Sequence, residues 1–105
     1  MKKDKIYIAI CARSLNHNFL KLLNCIHQNW ITSNLSIKVL ITFNSPNMIN
    51  NSQHNLIKKN LKQIDFKIIY EKKIGISNAR NKCLKSLKSL NFDYCCFLDD
   101  DCIIN

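Results

Sequence analysis

The chain has 105 residues, 47 % of them hydrophobic and 22 % charged, which suits one small folded domain and excludes an intrinsically disordered chain. Its longest apolar run, which begins at Ile6, is far shorter than the roughly 20 residues of a membrane span, so no transmembrane segment is expected. A single glycine excludes the phosphate loops of P-loop and dinucleotide-binding proteins, which need several glycines where backbone approaches phosphate.

The net charge is +9, from 16 basic and 7 acidic residues. The lysines are scattered along the chain, as expected for a solvated surface, and the arginines are limited to Arg13 and Arg80. This pattern favours a protein that does not bind nucleic acid. A basic module that binds nucleic acid or an anionic surface is the alternative.

The six cysteines form no C-x-x-C pair and no spacing typical of a zinc site. No export signal with a long apolar core and a cleavage site is recognisable near the N-terminus. We therefore expect reduced, packed thiols and a cytoplasmic protein.

The first strand is predicted at Ile6–Cys11, where a continuous apolar run indicates burial on both faces. Apolar residues spaced by three and four then predict a helix from Phe19 to Trp30, with Asn16 or Asn18 as its N-cap. In this helix His27 is assigned to the polar, solvent-facing side.

A second strand is predicted at residues 37–43, and the Asn-Ser-Pro-Asn sequence at 44–47 predicts a turn. A weaker helical pattern begins near Ile49 or later and extends to Ile64. A third strand follows at Phe66–Tyr70.

Gly75 opens the next connection, because it can adopt a positive φ and reverse the chain. A third helix is predicted from Ile76 to Leu90, with Ser77 as its N-cap. The fourth strand, Tyr94–Leu98, continues directly into Asp99-Asp100-Asp101.

The order βαβαβαβ predicts an α/β fold with an open, doubly wound, mostly parallel sheet. In such sheets ligands bind beyond the carboxyl ends of the strands. The segments that follow the four strands should therefore share one rim; they are 13–14, 44–45, 71–77 and 99–101.

The three adjacent aspartates are the main functional signal, since they are three of only seven carboxylates in a basic chain. A polar turn after a strand is the simpler interpretation for one aspartate. For three at the ligand-binding rim we favour a site for Mg²⁺ or Mn²⁺, which take carboxylate oxygens together with substrate phosphates. Arg80 on the same rim offers a planar set of donors for a phosphate or a nucleobase carbonyl.

The segment Gly75-Ile76-Ser77-Asn78-Ala79-Arg80-Asn81 is similar to G-x-x-x-A-R-N, and Asp99-Asp100-Asp101 matches a D-x-D element about 20 residues later. In these motifs and in its strand order the chain resembles family-two glycosyltransferases of the GT-A fold. The resemblance implies a metal-dependent transfer of a sugar from a nucleotide-sugar donor, such as a UDP-sugar, to a glycan or lipid-linked saccharide.

By position, the resemblance assigns Asp99 to the donor ribose or base and, with Asp101, to the metal, with Asp100 beside them. Arg80 would reach the base or the phosphates. Ala12 and Arg13 would line the nucleoside pocket, and Asn44 stands where many members carry a base-binding aspartate.

The resemblance covers residues 1–105 as a single partial domain, the donor-binding half of a transferase truncated after the fourth strand. No catalytic base is assigned, because the acceptor half that carries it in the family is absent, so little activity is expected from this chain alone. Peripheral contact with the inner face of the membrane fits a lipid-linked acceptor. A sugar nucleotidyltransferase is a further alternative, although it needs a glycine-rich loop after the first strand.

Overall fold

The computed structural model describes residues 4–30 and 35–99. Four strands alternate with three helices in the predicted order. The elements are β1 (Lys5–Ala12), α1 (His17–Trp30), β2 (Ser36–Phe43), α2 (Asn51–Leu61), β3 (Asp65–Tyr70), α3 (Ile76–Leu87) and β4 (Tyr94–Asp99).

The strands form one open sheet in the order β3-β2-β1-β4, with every neighbouring pair parallel. In this register Ile10 of β1 lies opposite Ile41 of β2, and Cys11 lies opposite Asp99 of β4. The predicted α/β class and the parallel, helix-flanked sheet are confirmed.

Helices cover both faces of the sheet, and strand residues alternate between the two cores. One core lies under α1 and α2 and includes Phe19, Ile41 and Phe43, all fully buried. The other lies under α3 and is smaller, with Ala9, Leu40, Cys83 and Leu87 as its buried members.

Helix α1 begins after Asn16, whose side-chain oxygen accepts a hydrogen bond from the Phe19 N–H at 2.9 Å. Of the two predicted N-caps, Asn16 is therefore the one that caps the helix. The assignment of His27 to a solvated side was wrong, because this residue is only 7 % exposed and its ring lies 6.0 Å from that of Trp30.

Helix α2 begins with a capping box, in which Asn50 and Gln53 exchange side-chain-to-backbone hydrogen bonds. It ends at Leu61, before the predicted end at Ile64, which is nevertheless buried against the same core. The apolar pattern extends beyond the end of α2 because Ile64, in the following turn, also packs against the core.

Helix α3 has Gly75 as its N-cap, with φ 143°, and no side chain caps it. The prediction that Ser77 caps this helix was therefore wrong, because the helix has already begun at Ile76. The positive φ expected of Gly75 is confirmed. The helix ends at Leu87 rather than Leu90.

Strand β4 lies at an edge of the sheet and is only partly covered. Tyr94 and Phe97 are exposed by 62 % and 48 %. An apolar groove of about 600 Å³ runs between α3 and β4, with Leu84 and Phe97 on its walls and Lys85 and Lys88 beside it.

None of the helices within the described residues has the length and apolar character needed to cross a membrane.

Candidate functional site

The candidate site is a cleft of about 450 Å³ at the carboxyl ends of the strands. It lies where the strand order reverses, since the chain leaves β1 towards β2 on one side and β4 returns to the other side of β1. Such a switch point is the usual ligand position in an open α/β sheet. The cleft is lined by Cys11, Ala12, Arg13, Ser14, Asn16, Asn44, Gly75, Ile76, Ala79 and Asp99.

Arg80 and Asp99 meet at the open side of this cleft, with a guanidinium nitrogen 3.7 Å from a carboxylate oxygen. A second cavity of about 380 Å³ adjoins there, and Cys11 and Asp99 line both. The two charged side chains are 56 % and 62 % exposed. An ion pair this exposed contributes little to stability, less than about 1 kcal/mol, so both groups remain available to a ligand.

Positive charge converges on the cleft from two elements. Arg13 follows β1 and lines the cleft, and Arg80 lies one turn into α3, so both arginines of the chain stand at this rim. The amino end of α3 also meets the cleft through Gly75 and Ile76, and no acidic residue occupies its first turn. Free N–H groups and the helix dipole at such an end favour a bound anion.

Asn44 holds the loop that leads into α3. Its amide nitrogen donates to the carbonyl oxygens of Glu71 and Lys73, at 3.1 and 2.8 Å, and its amide oxygen accepts from the Gly75 N–H at 2.8 Å. The Asn44 backbone N–H also donates to the Ala12 carbonyl at 2.7 Å. The side chain is 4 % exposed, so its main action here is to fix the shape of the rim.

Two thiols meet below the cleft. Cys11 is half-buried on β1, Cys83 is fully buried on α3, and the two pack together in the smaller core. Interaction with the Cys11 side chain lowers the pKa of Cys83 to about 7, although burial opposes the shift. Interaction with the Cys83 side chain, together with burial, raises the pKa of Cys11.

The described part of the predicted metal site is Asp99. Asp100 and Asp101 lie outside the described residues, and within 4–30 and 35–99 no three His, Cys, Asp or Glu side chains are close enough to hold a metal ion. Asp99 supplies an exposed carboxylate at the cleft, which is a ligand type that Mg²⁺ and Mn²⁺ accept. One carboxylate of a suitable type is thus described at this position, and metal binding there stays a prediction.

Five of the residues selected from sequence meet at one rim. Ala12, Arg13, Asn44 and Asp99 line the cleft, and Arg80 lines the cavity beside it. The binding roles assigned to them stay predictions.

Six further lining residues were given no binding role from sequence, namely Cys11, Ser14, Asn16, Gly75, Ile76 and Ala79. Ala79 is fully buried where α3 approaches the sheet. The small residue before Arg80 was the available signal for such a close approach.

A scan against protein-family models found no match, and searches of curated proteins and of solved structures likewise found none.

Proposed function

We propose that this chain is the donor-binding part of a metal-dependent glycosyltransferase of the GT-A, family-two kind. Its ligand would be the nucleoside diphosphate portion of a sugar nucleotide. The observation that carries the proposal is the meeting of Arg80 and Asp99 at the β1–β4 switch point. These residues belong to the two sequence motifs that resemble the family.

The charge distribution of the cleft supports a ligand that is itself anionic. Arg13, Arg80 and the amino end of α3 provide positive potential where a glycine-rich phosphate loop is excluded by composition. In the proposed complex the two guanidinium groups bind phosphate oxygens, which they match in geometry and charge.

Asp99 would bind the ribose or the metal ion in the proposed complex. Its exposed carboxylate would accept a hydrogen bond from the ribose or hold the cation together with Asp101. A bound Mg²⁺ or Mn²⁺ supplies charge neutralisation for a diphosphate leaving group. The Arg80 guanidinium lies 3.7 Å from this carboxylate, so the cationic and the anionic group face the ligand from the same place.

The cytoplasmic location and the peripheral membrane contact belong to the same proposal. So does the acceptor class, a glycan or a lipid-linked saccharide. No residue described here is assigned to the acceptor or to activation of its hydroxyl.

The proposal is tested by titrating the chain with UDP, GDP and ADP by calorimetry, each with Mn²⁺, with Mg²⁺ and with EDTA. We expect one diphosphate to bind at least tenfold more tightly with the metal than with EDTA. Asp99→Asn and Asp101→Ala should remove this metal dependence, because they delete carboxylate ligands. Arg80→Gln should weaken binding about tenfold with or without metal, which corresponds to one charged hydrogen bond.

Matched controls lie away from the cleft. Asp65→Asn removes an exposed carboxylate at the start of β3, and Lys82→Gln removes an exposed cation on α3. Both variants should bind like the parent chain. Equal losses of diphosphate binding in these controls would show that overall charge, and not the cleft, determines the affinity.

A basic binding module predicts a different outcome. It would bind duplex DNA or anionic vesicles with a steep salt dependence, and Asp101→Ala would leave that binding intact. That result, combined with no metal-dependent diphosphate binding, would overturn the proposal.

A further inference from the structure

Strand β4 leaves one side of its backbone open. It is the last strand in the sheet order, so within residues 4–30 and 35–99 no strand pairs with its outer edge. Alternate residues of such an edge present N–H and C=O groups that another extended backbone can bind. Helix α3 leaves this edge uncovered, because it packs mainly over β1 and β2.

The apolar groove between α3 and β4 lies along this open strand. Its walls are formed mainly by apolar side chains, which are Leu84, Leu87, Phe92, Cys95 and Phe97. Leu84 and Phe97 are each about half exposed. Apolar side chains that are exposed together, beside an unpaired strand edge, are typical of an interaction surface.

The charged side chains of the groove all have the same sign. Lys85 and Lys88 line it and are exposed, and none of its lining residues is acidic. Helix α3 carries no Asp or Glu along its whole length. Among the described residues neither lysine forms an ion pair. A partner with acidic side chains would therefore supply the complementary charge.

The positive charge also argues against a second copy of this chain as the occupant. Antiparallel pairing of two β4 edges would place both α3 helices on the same face of the joined sheet, with Lys85 and Lys88 of each copy turned towards the other. Each copy carries a net charge of +9, so the like charges would repel. A helix in the groove would cover the apolar walls but would leave the edge of β4 unpaired.

We infer that the open edge of β4 and the adjoining groove bind an extended, acidic segment of another protein, which adds a strand to the sheet. The backbone of this segment pairs with β4, its alternate apolar side chains lie on Leu84 and Phe97, and its flanking carboxylates pair with Lys85 and Lys88. The inference goes beyond the proposed function and does not depend on it, because no residue lines both the groove and the cleft.

The test uses a fluorescent peptide with the sequence Glu-Glu-Thr-Val-Thr-Val-Thr-Glu-Glu, and binding is measured by anisotropy without nucleotide or metal. We expect saturable binding at least about tenfold tighter than that of a matched peptide in which Lys replaces every Glu. The preference should decrease as salt is added, since the lysines are exposed. Equal affinity for the two peptides, or no saturable binding of the acidic one, would overturn the inference.

The apolar contribution is tested with Leu84→Ser, which should weaken binding of the acidic peptide at least about tenfold. This leucine is 47 % exposed, so the variant keeps the buried core intact. The matched control is Leu56→Ser on α2, on the opposite face of the sheet, where the leucine is 42 % exposed. Equal losses in the two variants would overturn the assignment of the peptide to the groove.

The charge contribution is tested with a double variant, Lys85→Gln with Lys88→Gln, which should weaken binding about fivefold to tenfold. The matched control is Lys58→Gln with Lys59→Gln, two exposed lysines of α2 whose loss changes the net charge equally. This control should bind like the parent chain. An equal loss there would show that the peptide responds to overall charge and would overturn the inference.

Strand addition itself is tested by hydrogen exchange. On binding, exchange should slow at alternate amides of Tyr94–Asp99, because those N–H groups gain carbonyl partners. Unchanged exchange in a peptide complex would show that the edge is not used and would overturn strand addition. Concentration-dependent dimerisation of the chain alone, measured by sedimentation and lost in Leu84→Ser, would assign the edge to a second copy instead.

Discussion

The two sides of β1 are built differently. On the β2 side the sheet is buried, with Val39, Ile41 and Phe43 fully covered by α1 and α2. The rim above it is also fixed, because Asn44 makes three side-chain hydrogen bonds to the 71–75 loop. On the β4 side the strand lies at the sheet edge, and the rim carries the exposed ion pair of Arg80 and Asp99.

This difference separates the part of the molecule that stabilises the fold from the part that meets a ligand. Buried apolar area provides most of the free energy of folding, and the larger of the two cores includes the buried residues of β2. Exposed charges contribute little to stability but remain free to exchange partners. The three predictions that follow test this separation through stability, from the largest expected effect to the smallest.

The largest effect is expected from Phe19→Ala. The Phe19 ring is fully buried and packs edge-on against Phe43, with ring centres 5.7 Å apart. Its loss should lower the free energy of unfolding by about 3–5 kcal/mol in urea titration. The matched control is Phe97→Ala on β4, where a half-exposed ring should cost no more than about 1 kcal/mol. Equal costs would show that β4 is as tightly packed as the β2 side.

Asn44→Ala should lower the free energy of unfolding by about 2–3 kcal/mol, because it leaves two carbonyls and the Gly75 N–H without their partner. Hydrogen exchange at the Gly75 amide should accelerate in the same variant. Asn47→Ala is the control, since this exposed residue of the same turn uses only its backbone N–H in a bond to Ser45. Unchanged protection of the Gly75 amide in Asn44→Ala would contradict the role of the Asn44 side chain in holding the 71–75 loop.

Gly75→Ala should cost about 1–2 kcal/mol. Its φ of 143° is rarely adopted by residues with a Cβ, and that atom would lie 3.1 Å from the Asn78 amide nitrogen. Urea unfolding of Gly75→Ala, Asn78→Ala and the double variant separates the two causes. We expect most of the cost to persist in the double variant, because removing the Asn78 side chain does not relieve the backbone. Full recovery there would instead assign the cost to the contact.

Most of the fold could be predicted from sequence, because apolar runs and helical spacing report local structure and burial together. The four strands were predicted to within two residues of their ends. The errors have identifiable causes. Ile64 follows α2 and packs against the larger core, and Leu90 follows α3 and packs, partly buried, against the smaller core. Both residues therefore extended the helical pattern beyond the end of the helix. His27 lies four positions after Leu23, on the buried face of α1. This spacing indicated burial, but the polar side chain was taken to indicate exposure.

The candidate site was predictable only where its residues follow strands directly. Arg13, Asn44 and Asp99 could be placed at one rim because parallel strands end together. The hydrogen bonds of the Asn44 side chain could not be predicted, since they depend on how the 71–75 loop returns to β2. The packing of Cys11 against the core that contains Cys83 depends likewise on where α3 crosses the sheet.

The pairing of β4 with β1 has a consequence for synthesis of the chain. Ile6 lies opposite Tyr94, and the Asp93 carboxylate accepts a hydrogen bond from the Lys5 N–H at 2.8 Å. Strand β1 is synthesised before β2, β3 and β4, and it pairs with β4 only after all of them have been made. Contacts so distant in sequence form late, because a long loop must close first. Until then a nascent three-stranded intermediate presents one side of β1 to any other extended segment, which makes this interval the one most exposed to misassembly.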